Sequence, residues 1–152
     1  MQLWRICRER YADVAYAREG ARLHGGRWNS KGSRVAYTST SLALAAVEMF
    51  VNLEPKLRPA DLVSIEAEVP GDVRAERLDM KSLPRDWHQL RDESLRAFGD
   101  RWIRNATSTA LYVPSAAIRG EWNVLLNPDH PDFPKLKFQN PKPLEFDLRM
   151  FR

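Results

Sequence analysis

A chain of 152 residues with 43% hydrophobic residues and five tryptophans has the material for one globular core and is too apolar for a disordered chain. No run reaches the roughly 18 apolar residues of a membrane helix, and Met1-Gln-Leu-Trp-Arg-Ile6 alternates like a strand without a signal-peptide core, so a cytoplasmic protein with no membrane contact is expected. The single cysteine, Cys7, excludes an internal disulfide and a thiolate metal cluster; a net charge of +4 without any block of like charges permits an anionic ligand but gives no nucleic-acid tail.

Residues 2–7 predict the first strand, and residues 8–24 give no clear period. A glycine-rich turn, His24-Gly-Gly-Arg-Trp-Asn-Ser-Lys-Gly32, leads into the alternating Arg34-Val-Ala-Tyr-Thr-Ser39, read as a strand. Ser41 is placed to cap a helix that is apolar on nearly every face, with Glu48 in its middle. Pro55 and Pro59 mark a connection. Leu62–Val69 alternates strictly and ends at Pro70-Gly71, so it reads as a strand; Val73 to Leu78 gives a shorter one. Leu95, Phe98, Trp102 and Ile103 recur at helical spacing, with Gly99 as a local weakness. Thr109–Val113 and Trp122–Leu126 are strands, each stopped by proline chemistry. Residues 127–143 hold five of the ten prolines and read as an ordered turn plus an extended segment. Leu144–Met150 alternates and predicts a closing strand. Strands outnumber helices in mixed order, which predicts one α+β domain over residues 1–152, with a split, mostly antiparallel sheet flanked by helices.

Glu48 is the first candidate for chemistry. An ionised carboxylate in an apolar helix is costly unless it is paired or has a task; a narrow solvent-facing edge or a structural arginine would also account for it. The turn is the second. Its glycines allow close backbone approach to a ligand, Arg27 offers a planar fork for phosphate or carboxylate, and Trp28 offers a face for stacking. The order Lys31-Gly32 is the reverse of a phosphate-binding GK pair, and a plain hairpin turn is the competing reading. Ser115, in Val113-Pro-Ser-Ala116, lacks the context of a serine nucleophile and reads as a hydrogen-bonding residue or a turn former. His24, His88 and His130 show no metal-ligand spacing, and His130 sits in a turn sequence; no metal site is expected. Trp87, Phe98 and Trp102 are assigned to the core.

Together these segments resemble one family. Leu3-Trp-Arg-Ile6, Gly26–Ser39, Ala43-Leu-Ala-Ala-Val-Glu48, Val113-Pro-Ser-Ala116, Asn123–Pro131 and Phe146–Arg152 are similar, in order, to the RES domain, the toxin half of RES–Xre toxin–antitoxin modules. The resemblance implies an ADP-ribosyltransferase-like fold and cleavage of NAD at the nicotinamide–ribose bond, as a glycohydrolase or a phosphorylase. It carries the catalytic roles to Arg27, Glu48 and Ser115, and implies substrate contacts at Trp28, Lys31, Gly32, Tyr37 and Asn123. No cofactor is implied beyond NAD as substrate, with inorganic phosphate as a candidate co-substrate. An Xre-type helix-turn-helix antitoxin is the implied partner, and a homodimer is compatible with the family; direct nucleic-acid binding is not expected. Two alternatives stand beside this reading. One is transfer of ADP-ribose to a macromolecule. The other is a basic RNA-targeting toxin, for which the chain lacks a basic helix and a suitable pair of histidines.

Overall fold

The computed structural model describes residues 1–16, 24–54 and 59–151; Pro55, residues 17–23 of the aperiodic stretch and Arg152 of the closing motif lie outside the described residues. Eight strands among these residues form one sheet: β1 (Gln2–Arg8), β2 (Ala36–Ser39), β3 (Leu62–Glu68), β4 (Ala75–Arg77), β5 (Ala110–Pro114), β6 (Trp122–Leu126), β7 (Lys137–Phe138) and β8 (Lys142–Pro143). Their order is β4-β5-β6-β2-β1-β3-β7, with β8 also paired to β3. Only β4 and β5 run parallel; the remaining pairs are antiparallel. This is the α+β class with the mostly antiparallel sheet that the strand pattern predicts.

The split lies between β1 and β2. β1 pairs with β3 at seven successive positions, from Gln2↔Glu68 to Arg8↔Leu62, yet meets β2 at one pair, Trp4↔Ser39. The two halves of the sheet part along this seam. Arg5 crosses it, its Nη1 donating to the Tyr37 carbonyl at 3.0 Å.

Alternation along the strands sorts the core into two clusters. Leu3, Ala36, Ile65, Val124 and Leu126 pack on one face with Tyr16. On the other, Leu111, Val113 and Leu125 pack with Trp28, Trp87 and Trp102. Helix α1 (Leu42–Phe50) starts where Ser41 Oγ accepts from the Leu44 amide at 3.0 Å, the cap its sequence predicts. It lies over β1 and β2 and buries Leu44 and Ala45, but it is not enclosed all round as its composition suggests. Covering the seam leaves one flank facing a cavity, and Val51 just beyond its end is 57% exposed.

Helix α2 (Glu93–Asn105) is capped by Asp92 and turns its Leu95 and Trp102 into the second cluster. Gly99 is a packing requirement rather than a weakness. A Cβ there would stand 1.8 Å from the Trp28 carbonyl oxygen, so the glycine lets the helix press against the turn that carries Arg27.

The closing strand is corrected. Past Pro143, which has no amide to extend the ladder, the Leu144 amide makes a last contact with the Leu62 carbonyl at 2.9 Å. Residues 144–147 then run without regular structure into a 3₁₀ turn, Leu148–Phe151, with Asp147 accepting from the Arg149 amide and guanidinium. The alternation of Leu144 and Phe146 reflects side chains tucked against the body, with Phe146 edge-on to Phe50 at 4.9 Å, while Leu148 is 81% exposed.

Replacing Gly99 by Ala forces either α2 or the turn to move, and the cost is expected at about 1–3 kcal/mol, as for other overpacked sites. A urea midpoint unchanged from the parent chain would show that the contact is not needed.

Candidate active site

The turn is fixed from three sides. The Gly26 amide donates to the Asn29 carbonyl at 3.0 Å, and Gly25 takes φ +69°. Tyr37 on β2 donates its hydroxyl to Asn29 Oδ1 at 2.6 Å and accepts from the Trp28 amide at 3.2 Å. A Cβ on Gly26 would lie 2.4 Å from that hydroxyl, so only glycine fits beneath Tyr37. From α2, Asp100 accepts from the Ser30 amide at 2.9 Å and from Ser33 Oγ at 3.0 Å. Burial raises the Tyr37 phenol well above its ordinary value, which keeps it a neutral donor.

Held this way, Arg27 projects into a cavity of about 670 Å³ that is also lined by Arg5, Tyr37, Glu48, Arg91 and Asn123. Its Nη1 donates to the carbonyls of Trp87 (3.3 Å) and Leu90. Burial lowers its pKa, and the neighbouring Arg91 lowers it further, while the Glu48 charge acts in the opposite sense. The two groups share the cavity without forming an ion pair.

Glu48 is held by other means. Its Oε1 accepts from Ser115 Oγ at 2.6 Å and from Asn123 Nδ2 at 2.6 Å. Ser115 is 1% exposed and in turn accepts from the Ile118 amide at 3.0 Å, while Asn123 Oδ1 accepts from Ser39 Oγ at 2.7 Å. One carboxylate oxygen is therefore saturated by the sheet. Among the described residues no donor reaches Oε2, and that oxygen is not sealed in the interior, which leaves it for a ligand in the cavity that Glu48 lines. Short bonds to an ionised acceptor are the strong kind.

The structure thus brings Arg27, Glu48, Ser115, Tyr37 and Asn123 to one place, although Ser115 and Glu48 stand 67 positions apart in the chain. Trp28 borders the same cavity, yet it is 2% exposed and packs on Trp87 with ring centroids 5.9 Å apart, so most of the indole lies in the core. Lys31 and Gly32 are exposed at the tip of the turn and do not line the cavity; Gly32 is there for its φ of +98°. Among the described residues no arginine forms an ion pair with Glu48, so the reading of a structural arginine does not account for it. His130 sits 2.8 Å from Thr109 Oγ1 inside its turn, and Arg119 reaches His88 Nε2 at 2.8 Å, so neither acts as a base for Ser115. Among the described residues no group of three His, Cys, Asp or Glu side chains could hold a metal ion, and no helix is long and apolar enough to cross a membrane. Arg5, Ser39 and Arg91 line or buttress the site without a local signal in the sequence. Arg5 is hidden in an ordinary alternating strand, and Ser39 closes the next one.

The family profile described as "RES domain" matches residues 2–149, and the chain belongs to that family. "Toxin Res" of Photorhabdus laumondii is 34% identical over 136 residues, covering 89% of this chain and 86% of the relative. "Prs ADP-ribosylating toxin" of a Sphingobium strain is 33% identical over 154 residues, covering 98% and 96%. Among solved structures, a chain of the M. tuberculosis MbcT–MbcA toxin–antitoxin complex superposes with a TM-score of 0.71 over 94% of this chain and 83% of that one; at 17% identity it shows the shared fold.

Tyr37→Phe removes the donor to Asn29 and the acceptor for the Trp28 amide. A loss of about 1–3 kcal/mol is expected in denaturant unfolding, the cost of leaving buried polar groups unpaired. Unchanged stability would mean that the turn stands without this anchor.

Proposed function

We propose that this RES-family chain is a toxin that cleaves NAD at the bond between nicotinamide and ribose. The observation that supports it best is Glu48, fixed through one oxygen by Ser115 and Asn123 at a cavity also lined by Arg27. Departure of a pyridinium leaves an oxocarbenium-like ribose, and an oriented carboxylate stabilises that charge directly or through a ribose hydroxyl. The bonding pair stays on the ring nitrogen, so nicotinamide leaves neutral and no general acid is needed. An oxygen of water or of phosphate then bonds to the ribose carbon, and water gives up its proton to solvent. One carboxylate is enough for this chemistry where ordinary glycosidases use two.

Arg27 serves as the grip on a phosphate or ribose oxygen. Its Nη1 is held by the Trp87 and Leu90 carbonyls, which orients the remaining edge of the fork. Ser115 and Asn123 position Glu48 in this reading, and Tyr37 positions the turn. A toxin with this activity implies an antitoxin that covers the cavity mouth, and an Xre-type helix-turn-helix protein is the partner proposed. The name of the Sphingobium relative favours a second reading, transfer of ADP-ribose to a macromolecular acceptor.

Glu48→Gln is expected to fold normally and to lose roughly 100- to 1000-fold in turnover, the scale for losing a preorganised electrostatic group. Nicotinamide release from NAD at wild-type rate would exclude the proposed role. Incubation with adenylate-labelled NAD separates the two readings: label in free ADP-ribose or its phosphorylated form supports cleavage, and label on protein or RNA supports transfer.

A further inference from the structure

Arg5 presents an arrangement that the proposed reaction does not use. By alternation its side chain leaves β1 on the face of Leu3 and Cys7, yet Arg5 lines the cavity that holds Arg27 and a second, smaller one of about 260 Å³. Arg5 thus stands at the seam, where β1 and β2 share a single pairing and its Nη1 reaches the Tyr37 carbonyl. The smaller cavity is bordered by Trp4, Ser39, Asn52 and Asn123, and Glu48 forms part of the wall of both.

Nη1 is occupied by the Tyr37 carbonyl, but Nε is buried and has no hydrogen-bond partner. Among the described residues, the ion pairs of Arg8 with Asp61 and Arg34 with Asp129 have no counterpart at Arg5. Burial depresses its pKa, opposed only by the distant influence of Tyr16 and Cys7. A buried cation without a carboxylate is unfavourable unless an anion arrives to compensate it. As a staple between the sheet halves alone, Arg5 needs one donor. Among the described residues Nη2 makes no hydrogen bond and, unlike Nε, is not sealed in the interior, so it is the donor left to meet an oxygen of a phosphoryl group.

We infer that Arg5 and the seam cavity, which Arg27 does not line, form an oxyanion subsite beside Glu48 that takes a phosphate group. The group has two sources, free inorganic phosphate or a phosphate of the nucleotide itself, and the inference rests on the proposed NAD cleavage only for its use in a reaction. A free phosphate held there would approach the ribose carbon from beside Glu48; a substrate phosphate held there would fix the orientation of the ribose instead.

The test compares wild type, Arg5→Met and Arg5→Lys in the full chain by calorimetric titration with inorganic phosphate and with ADP-ribose, alongside nicotinamide release. Arg5→Met is expected to weaken binding of at least one of the two probes by tenfold or more, with Arg5→Lys intermediate. Dependence confined to inorganic phosphate, together with a raised KM for phosphate, assigns the free anion. Dependence confined to ADP-ribose, with a raised KM for NAD, assigns the nucleotide's own phosphate. Wild-type affinity of Arg5→Met for both probes overturns the subsite, even where nicotinamide release continues. A wild type that binds phosphate through Arg5 without releasing nicotinamide keeps the subsite and rejects the NAD reading. Where Arg5→Met fails to fold, thermal shift carries the test: the probes must raise the wild-type Tm more than that of Arg5→Lys, and equal shifts overturn the inference.

Discussion

The site depends on one carboxylate oxygen. Glu48 Oε1 receives two donors at 2.6 Å, Ser115 from the loop after β5 and Asn123 from β6, and through them α1 is tied to the half of the sheet that begins at β2. Each bond to an ionised acceptor contributes about 1.5–3 kcal/mol, more than a neutral bond would. The geometry matters as much as the energy. With Oε1 saturated, the carboxylate plane is set and Oε2 is aimed by the scaffold rather than by solvent. Ser39 extends the arrangement: the acceptor-only carboxylate requires the amide nitrogen of Asn123 to face it, and the Ser39 hydroxyl donates to the amide oxygen left on the other side.

A second set of constraints delivers Arg27 to the same cavity. The turn has little core of its own, so it is suspended from Tyr37 on one side and from α2 on the other. Two glycines make this possible by their lack of a side chain: Gly26 beneath the Tyr37 ring and Gly99 beneath the Trp28 carbonyl. Trp28 and Asn29 then become interior residues of a loop, which anchors the turn in the core. A rigid support of this kind is what a site needs when its charges must be in place before the reaction begins.

Local patterns carried the fold well wherever period and punctuation agreed. β1, β3, β5, β6 and both helices fall within a few residues of where alternation, Ser41 and the 3.6-residue spacing put them. Leu144–Met150 misled because two-residue alternation also arises when an extended tail tucks alternate side chains against a body, with no partner strand to pair. In the site, Glu48 was legible as a charge out of place in an apolar helix. The order in which its partners are assembled was not, because the bonds from Ser115 and Asn123 span 67 and 75 positions. Trp28 carries a second role that composition did not show. An indole in a glycine-rich turn has the composition of a ligand platform, and it does border the cavity, but packing against Trp87 makes it core as well. Arg5 stood inside a family-like segment, Leu3-Trp-Arg-Ile6, but no local pattern singled it out, since its setting comes from a seam where β1 and β2 share a single pairing.

Charge in the cleft follows a consistent rule. Arg5 and Arg27 are held by backbone carbonyls, not carboxylates, while Glu48 is held by a hydroxyl and an amide, not by an arginine. Direct pairing of Arg27 with Glu48 would have been the cheapest way to bury both. It would also have cancelled the fields of the two groups against each other and left little for a ligand. Neutral dipoles fix the positions of these charges and leave most of their electrostatic influence directed into the cavity, where low dielectric magnifies it. The cavity accordingly presents more positive than negative charge, with Arg91 adding to Arg5 and Arg27 against the single acid. On the proposed reading, such a field draws in an anionic, phosphate-bearing molecule and reserves the one carboxylate for positive charge that develops only during bond cleavage. Under that proposal, the absence among the described residues of an ion pair at the centre of this site is what allows the same few residues both to attract a phosphate ester and to stabilise a cation within it.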